Sequence, residues 1–195
     1  AIDVRYFAQK KVLFRNEAAN EYPSLTFIES NEEDYAIIAE TLGRVRLAIH
    51  ADIEGILLDT HHPRHSDLVD SFPYHVINLD FCGHIVPRKD HPYSATLRCI
   101  AKVLELQANS QAREWHLFLT FRAQRAHAND EANNELRGIV EGNLNRQDLR
   151  QAWGNKPSPS TLLDTAYPEF LRLSIAKFLA YSASNRGYAM NMESS

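Results

Sequence analysis

The stretch Val76-Ile77-Asn78-Leu79-Asp80-Phe81-Cys82-Gly83-His84-Ile85 has the pattern of a buried strand that runs into polar residues. Its apolar core leads to Asn78 and Asp80, and Gly83 then allows the backbone to turn. Ligands of open α/β sheets bind outside the carboxyl ends of the strands, so polar side chains that follow a buried strand are candidates for function. The structural alternative is an ordinary strand end in which Asp80 caps the next turn.

Strand-like and helix-like segments alternate along the chain on both sides of this stretch. Apolar runs predict strands at residues 25–29, 45–49, 75–79 and 115–121. Helical periodicity and capping residues predict helices between these strands, over residues 32–42, 54–59 and 93–107. This alternation predicts an α/β fold of βαβ units with a mostly parallel sheet. The last of the four runs is apolar on both faces, which predicts a central strand.

Helical patterns also flank the alternating segments. Residues 2–20 combine apolar and basic side chains and predict a helix. Residues 130–153 are polar and predict helical structure that Gly138 and Gly142 interrupt. Residues 162–183 predict an amphipathic helix. We therefore expect a helical C-terminal segment after the sheet.

The composition is that of one ordinary domain. The chain has 195 residues, of which 44% are hydrophobic and 24% are charged. Its formal net charge of −4 argues against a strongly basic nucleic-acid platform, although a local basic patch is compatible with it. Cys82 and Cys99 form neither a disulfide framework nor a zinc-finger spacing, which favours a reducing, cytoplasmic setting. No apolar run reaches the length of about 18 residues that a membrane-spanning helix needs, so no membrane partner is expected.

Polar residues follow three of the predicted strands. Glu29 follows the first strand, Asp52 follows the second, and Asn78 with Asp80 follows the third. If these strands are parallel neighbours, the side chains meet at one edge of the sheet. A carboxylate there can accept both hydroxyls of a ribose, and a second carboxylate can accept from the exocyclic amine of an adenine. Asn78 can hold a substrate amine through its carbonyl oxygen, and Asp80 can accept the proton of that amine.

The order of these features resembles that of class I S-adenosylmethionine-dependent methyltransferases. The segment Asn78-Leu79-Asp80-Phe81-Cys82-Gly83 is similar to the Asp-x-Asp-Pro-Phe/Tyr-Gly motif of guanine-N2 tRNA methyltransferases, and more loosely to the Asn-Pro-Pro-Tyr motif of amino-methylating enzymes. The resemblance covers residues 1–125. It implies a Rossmann-like, mostly parallel sheet flanked by helices in residues 1–127, with residues 128–195 as a helical segment that packs on it.

The resemblance also implies roles for individual residues. S-adenosylmethionine would be the cofactor, bound by Glu29 at the ribose and by Asp52 and Ile53 near the adenine. The catalytic positions would be Asn78, Asp80 and Phe81. The first two would orient an amine acceptor, and the ring of the third would offer a stacking surface. Methyl transfer would be an in-line displacement that depends on positioning and requires no metal, and a nucleic-acid substrate is the candidate partner.

Two departures from the family's pattern leave other functions open. The glycine-rich turn that lets the backbone approach the cofactor is absent, since none of the seven glycines forms G-x-G. We expect that turn, with the first strand, to lie upstream of Ala1. Phe81-Cys82 also stands where the family has a proline and an aromatic residue. The alternative function is a catalytically inactive methyltransferase-fold subunit that binds protein partners in a larger assembly, and a domain for another nucleotide is a third hypothesis.

Other polar clusters have ordinary structural interpretations beside functional ones. Three histidines lie close together in the sequence, namely His61, His62 and His65. Imidazole is a common metal ligand, but Pro63 interrupts this cluster and no cysteine or carboxylate motif accompanies it. The pattern therefore favours a solvated loop. Arg122 and Arg125 follow the fourth predicted strand and are candidates for phosphate contacts or ordinary solvated surface. Cys82 lies beside a carboxylate that disfavours a thiolate, which favours an inert side chain.

Overall fold

The computed structural model describes residues 15–19, 21–86 and 95–191. The chain divides into two compact units, Ala1–Asp70 and Ser71–Ser195. Among the described residues, each unit contains one pair of strands together with several helices. The division that the resemblance implies, at residue 127, stays a prediction.

The first unit is built on a parallel pair of strands. Its elements in chain order are β1 (Glu21–Glu29), α1 (Glu32–Leu42), β2 (Arg44–His50), α2 (Ile53–Leu58) and α3 (His65–Val69). β1 and β2 run parallel, with Phe27 opposite Ala48 and Glu29 opposite His50. Apolar side chains from both strands and helices form the buried core of this unit, which includes Tyr22, Leu42, Ile49, Ile56, Leu57 and Leu68.

Local signals set both ends of α1. Asn31 caps the N-terminus, since its Oδ1 accepts a hydrogen bond of 3.0 Å from the Asp34 N–H. Gly43 ends the helix with a φ of 70°, a left-handed backbone conformation that glycine adopts without strain. The predicted helix over residues 32–42 is therefore confirmed.

The predicted N-terminal helix is wrong where the structure describes it. Residues 2–14 and 20 of that prediction lie outside the described residues. Asn16 exchanges backbone hydrogen bonds of 2.8 and 3.0 Å with Glu21, and a turn separates the two. The Asn16 side chain also accepts from the Ala19 N–H at 3.4 Å. A short polar side chain of this kind offers the backbone a local alternative to the helix.

The second unit combines a parallel strand pair with a larger helical part. Its elements are β3 (Val76–His84), α4 (Ala95–Asn109), β4 (His116–Arg122), a 3-10 turn (Arg125–His127), α5 (Asp130–Asn143), α6 (Gln147–Trp153), α7 (Pro159–Thr165) and α8 (Tyr167–Ser184). β3 and β4 run parallel, with Ile77 opposite Leu117 and Leu79 opposite Leu119. The buried core of this unit includes Leu79, Ile100, Val103, Leu163, Phe170 and Ile175.

A buried amide holds the chain at the entry to β3. Gln107 of α4 is fully buried, and its Oε1 accepts from the Tyr74 N–H at 2.8 Å. Its Nε2 donates to the Tyr74 carbonyl at 2.6 Å. The side chain thus pairs both backbone groups of one residue, as a neighbouring strand would, and this aligns β3 for its ladder with β4.

The mixed α/β class with parallel strand pairs is confirmed. Among the described residues each sheet has two strands, so a single extended sheet is not seen there. The prediction that β4 is buried on both faces is wrong, because alternate residues of β4 are exposed and Phe118 keeps 48% of its surface accessible. Apolar composition alone did not reveal that only one face of this strand packs on the core.

The helical part of the second unit is divided differently from the prediction. α5 continues through Gly138 and Gly142, and the interruption falls instead at residues 144–146. The predicted helix over residues 162–183 is two helices, because Pro168 in the first turn of α8 lacks the N–H needed to continue α7. None of the described helices is both long and apolar enough to cross a membrane.

Candidate functional site

The C-terminal ends of β1 and β2 are opposite each other at one edge of the first unit's sheet. Glu29 is opposite His50, and the Ala51 N–H donates to the Glu29 carbonyl at 3.1 Å. Asp52 and Ile53 follow directly along the chain. The structure therefore places the three predicted cofactor-binding residues at one edge, of the kind where ligands of parallel sheets bind.

Asp52 is the N-cap of α2. Its Oδ2 accepts a hydrogen bond of 3.0 Å from the Gly55 N–H, which satisfies one of the unpaired donors at the helix start. Ile53 is the first helical residue and is half-buried. The capping bond engages one of the two carboxylate oxygens of Asp52, so its geometry is compatible with a ligand on the other oxygen.

Glu29 is held by a similar local bond. Its Oε1 accepts from the Asn31 N–H at 2.8 Å, and the residue is half-buried at the end of β1. The carboxylate is therefore directed toward the loop that connects β1 to α1. As with Asp52, this bond leaves the second oxygen in position for a polar ligand.

Tyr35 and His50 add an aromatic surface that the sequence patterns do not single out. Their rings are stacked, with centroids 5.1 Å apart and an angle of 29° between the planes. The Phe27 ring centroid lies 5.5 Å from that of Tyr35, with the two rings tilted by 36°. His50 Nε2 donates to the Ser30 carbonyl at 3.2 Å, so this nitrogen carries a proton. The only sequence signal for this pair is a histidine at the end of a predicted strand.

Asn78 and Asp80 lie inside β3, whereas the sequence predicts that they follow it. The ladder with β4 continues from Asp80 opposite Thr120 to His84 opposite Arg122. β3 advances four residues over this interval and β4 advances two, so β3 carries a bulge here. Gly83 is within the strand, and the predicted turn at this glycine is wrong.

Strand alternation places Asn78 and Asp80 on the same face of the sheet. Phe118 and Thr120 of β4 lie opposite them, and all four residues are exposed. Phe81 is half-buried and follows Asp80 in the irregular part of the ladder. The structure thus brings two of the three predicted catalytic residues, Asn78 and Asp80, together on one exposed face.

The aromatic ring on the exposed face comes from β4. Phe118 is opposite Asn78, and 48% of its surface is accessible. His116 and Arg122 share its face by alternation and are also exposed. We use the name polar face for the exposed residues of this sheet, which are Asn78, Asp80, His116, Phe118, Thr120 and Arg122. The period-two arrangement of residues 116–122 is the sequence signal that could have identified it.

The loop histidines have local structural contacts. The His65 ring bonds through Nδ1 to the Ile56 carbonyl at 2.7 Å, and His62 Nδ1 accepts from the Arg64 N–H at 3.1 Å. Within the described ranges, no group of three or more histidine, cysteine, aspartate or glutamate side chains is arranged to hold a metal ion. The predicted solvated loop therefore ends before His65, which is the first residue of α3, and His62 and His65 are half-buried.

The remaining candidates differ in their surroundings. Arg125 forms an ion pair of 2.6 Å with Asp130, and its guanidinium lies 5.8 Å from the centre of the Tyr167 ring. Cys99 is buried in α4. The side chain of Cys82 lies outside the part of the chain that the structure describes.

A family model described as PP_RS20740-like matches residues 48–192 of the chain. No curated protein and no solved structure matches the chain. The matched range includes Asp52, Ile53 and every residue of the polar face, whereas Glu29 precedes it.

Proposed function

The chain belongs to the PP_RS20740-like family, and we propose that it is a methyltransferase-like protein that binds S-adenosylmethionine and methylates an amine on a nucleobase or another acceptor. The observation that carries this proposal is that the parallel strands β1 and β2 end at the same edge of their sheet. Glu29, Asp52 and Ile53 lie at this edge. An adenosine needs hydrogen-bond acceptors and an apolar contact at such an edge.

The proposed fold is a Rossmann-like, doubly wound sheet. In the strand order 3-2-1-4-5-6 of such sheets, the second strand pairs with the third and the fourth pairs with the fifth. Each of the parallel pairs β1–β2 and β3–β4 has, by itself, the arrangement of such a neighbouring pair.

Glu29 and Asp52 share the recognition of the adenosine. The bonds to the Asn31 and Gly55 N–H groups, at 2.8 and 3.0 Å, hold each carboxylate in a fixed orientation. The second oxygen of Glu29 accepts from a ribose hydroxyl, and the second oxygen of Asp52 accepts from the adenine amine. Ile53 supplies an apolar contact for the adenine ring. When bound, S-adenosylmethionine supplies a methyl group that its sulfonium charge activates.

Asn78 and Asp80 act on the acceptor amine. They are two residues apart on one strand face, a separation of about 7 Å. The Asn78 carbonyl would orient the amine toward the methyl group that bound S-adenosylmethionine would supply. Asp80 accepts the proton that the amine releases. Most of the rate enhancement comes from positioning the two reactants.

Isothermal titration calorimetry with S-adenosylmethionine and S-adenosylhomocysteine tests the cofactor site. Glu29→Gln and Asp52→Asn each keep an oxygen for the local N–H and remove the charge. We expect either change to weaken binding about tenfold or more, because each removes a charge-assisted hydrogen bond to the ligand. Glu40→Gln, an exposed acid near the other end of α1, is the matched control and should bind like the wild type. Lack of binding by folded wild-type protein at millimolar ligand would overturn the proposal.

A catalytically inactive subunit that serves as an interaction module is the second candidate function. It is favoured by the burial of Phe81. This residue is half-buried whereas Asn78 and Asp80 are exposed, so its ring offers less surface for stacking beside an acceptor held by them. Turnover measurements with Asp80→Asn separate the two functions. An enzyme loses methylation while S-adenosylmethionine binding is unchanged, whereas an inactive subunit shows no methylation even as the wild type.

A further inference from the structure

The polar face has an unusual composition for a parallel sheet. Both faces of such sheets are normally covered by helices, and their strands are then apolar on both sides. The polar face instead carries one aromatic ring among five polar or charged residues. Burying those groups under an apolar helix would cost several kcal/mol unless each found a partner, so this surface suits a polar ligand.

We propose that the polar face binds single-stranded nucleic acid, with one base stacked on Phe118. Phe118 is 48% exposed and lies opposite Asn78, so an aromatic residue with accessible surface lies beside a side chain that can hydrogen bond. Bases stack on exposed aromatic side chains of sheet surfaces in many nucleic-acid-binding domains. This inference rests on the proposed function in one respect, since it takes the acceptor amine to belong to a nucleobase.

Asn78 and Asp80 suit the edge of a base that stacks on Phe118. An asparagine side chain both donates and accepts, and an aspartate accepts from an exocyclic amine. The donors and acceptors of a base that such side chains would contact lie at its pairing edge. A duplex hides this edge, whereas a single strand exposes it. The chemistry of the polar face therefore favours a single strand over a duplex.

Arg122 gives the same face a charge that complements a phosphate. It is exposed and lies four residues beyond Phe118 on β4, which is about 13 Å along a strand. An arginine side chain at that distance reaches the phosphate of a neighbouring nucleotide. Because the net charge of the chain is −4, general electrostatic attraction is weak, and stacking must contribute much of the affinity.

Fluorescence anisotropy with a labelled single-stranded oligonucleotide, in the absence of S-adenosylmethionine, tests this site. Phe118→Leu keeps an apolar side chain but removes the π-face, and we expect it to weaken binding about tenfold or more. Phe118→Tyr keeps the ring and should bind like the wild type. Ile139→Ala, which truncates an apolar side chain 50% exposed on α5, is the control and should not change affinity.

Arg122→Gln provides a second test that does not depend on the stability of Phe118→Leu. It should reduce the slope of log affinity against log salt by about 0.7, the value for one phosphate contact on a single strand. The site is overturned if folded wild-type protein does not bind the oligonucleotide, if Phe118→Leu binds as tightly as the wild type, or if the duplex binds as well as the single strand. If the wild-type protein binds S-adenosylmethionine but does not bind the oligonucleotide, the nucleic-acid site is refuted and the proposed function still stands.

Discussion

The Tyr167 hydroxyl donates a hydrogen bond of 3.0 Å to Asn133 Oδ1, and both residues are buried. The bond joins α8 to α5. Arg125 adds a cation 5.8 Å from the centre of the Tyr167 ring and an ion pair of 2.6 Å with Asp130. This polar cluster therefore ties the helical part of the second unit together, and its contribution to stability can be measured without any ligand.

Removal of the Tyr167 hydroxyl should destabilise the protein. Tyr167→Phe keeps the ring and its packing but leaves Asn133 Oδ1 buried without its donor, so we expect the free energy of unfolding to fall by about 1–2 kcal/mol. Urea denaturation followed by circular dichroism measures the change. Tyr181→Phe on the same helix is the matched control, because Tyr181 is 67% exposed and its change should stay within about 0.5 kcal/mol. Equal stability of Tyr167→Phe and the wild type would contradict this role.

Stability should decrease at alkaline pH through the same residue. Burial raises the pKa of the Tyr167 hydroxyl above its ordinary value, while the charge of Arg125 opposes this shift. In the unfolded chain the hydroxyl ionises near its usual pKa of about 10. The contribution of Tyr167 is therefore complete below that pH and is lost as the pH rises through the folded-state pKa.

The pH dependence is measured by urea denaturation at about pH 8 and about pH 11, on either side of the unfolded-state pKa. Tyr167→Phe lacks the titrating group, so its free energy of unfolding should fall less over this interval than that of the wild type. An identical loss in both proteins would show that other groups account for the alkaline instability.

Asp52 should contribute to the stability of the first unit independently of any ligand. Asp52→Ala removes the N-cap of α2 and should cost about 1 kcal/mol, whereas Asp52→Asn preserves the cap and should cost almost nothing. Hydrogen exchange at the Gly55 amide, whose bond to Asp52 Oδ2 is 3.0 Å, reports this effect directly. Faster exchange in both variants, or in neither, would be inconsistent with the capping role.

The two variants also separate capping from ligand binding. The proposed contact with adenine requires the negative charge of Asp52, which Asp52→Asn removes, whereas the cap requires only an oxygen acceptor. Asp52→Asn is therefore expected to keep the slow exchange of Gly55 and to lose affinity for S-adenosylmethionine. This combination of outcomes is not expected from a residue with a structural role alone.

Elements that depend on local interactions were predictable from the sequence. Asn31 and Gly43 define α1 because a cap bond and a left-handed glycine involve neighbouring residues only. The parallel pairing of β1 with β2 also follows from the alternation of strands and helices. The convergence of Glu29, Asp52 and Ile53 at one edge is a direct consequence of that pairing.

The arrangement around the motif at Asn78 depended on non-local pairing. The sequence indicates that the apolar run ends at Leu79, but β4 continues to pair with β3 as far as His84. Beyond Asp80, the ladder pairs His84 of β3 with Arg122 of β4. No local sequence pattern specifies such a pairing between distant segments. Asn78 and Asp80 therefore lie within a strand, on its exposed face, and Phe81 is half-buried beside them in the chain.

The sequence by itself thus determined the α/β class, the caps of α1 and the polar residues that follow β1 and β2, because these features depend on local backbone preferences and on periodicity. Only the tertiary structure decided that Phe118, forty residues after Asn78, lies opposite it on the polar face. The physical reason is that strand register is set by hydrogen bonds between segments distant in the chain, and alternation along each strand then fixes which side chains share a face.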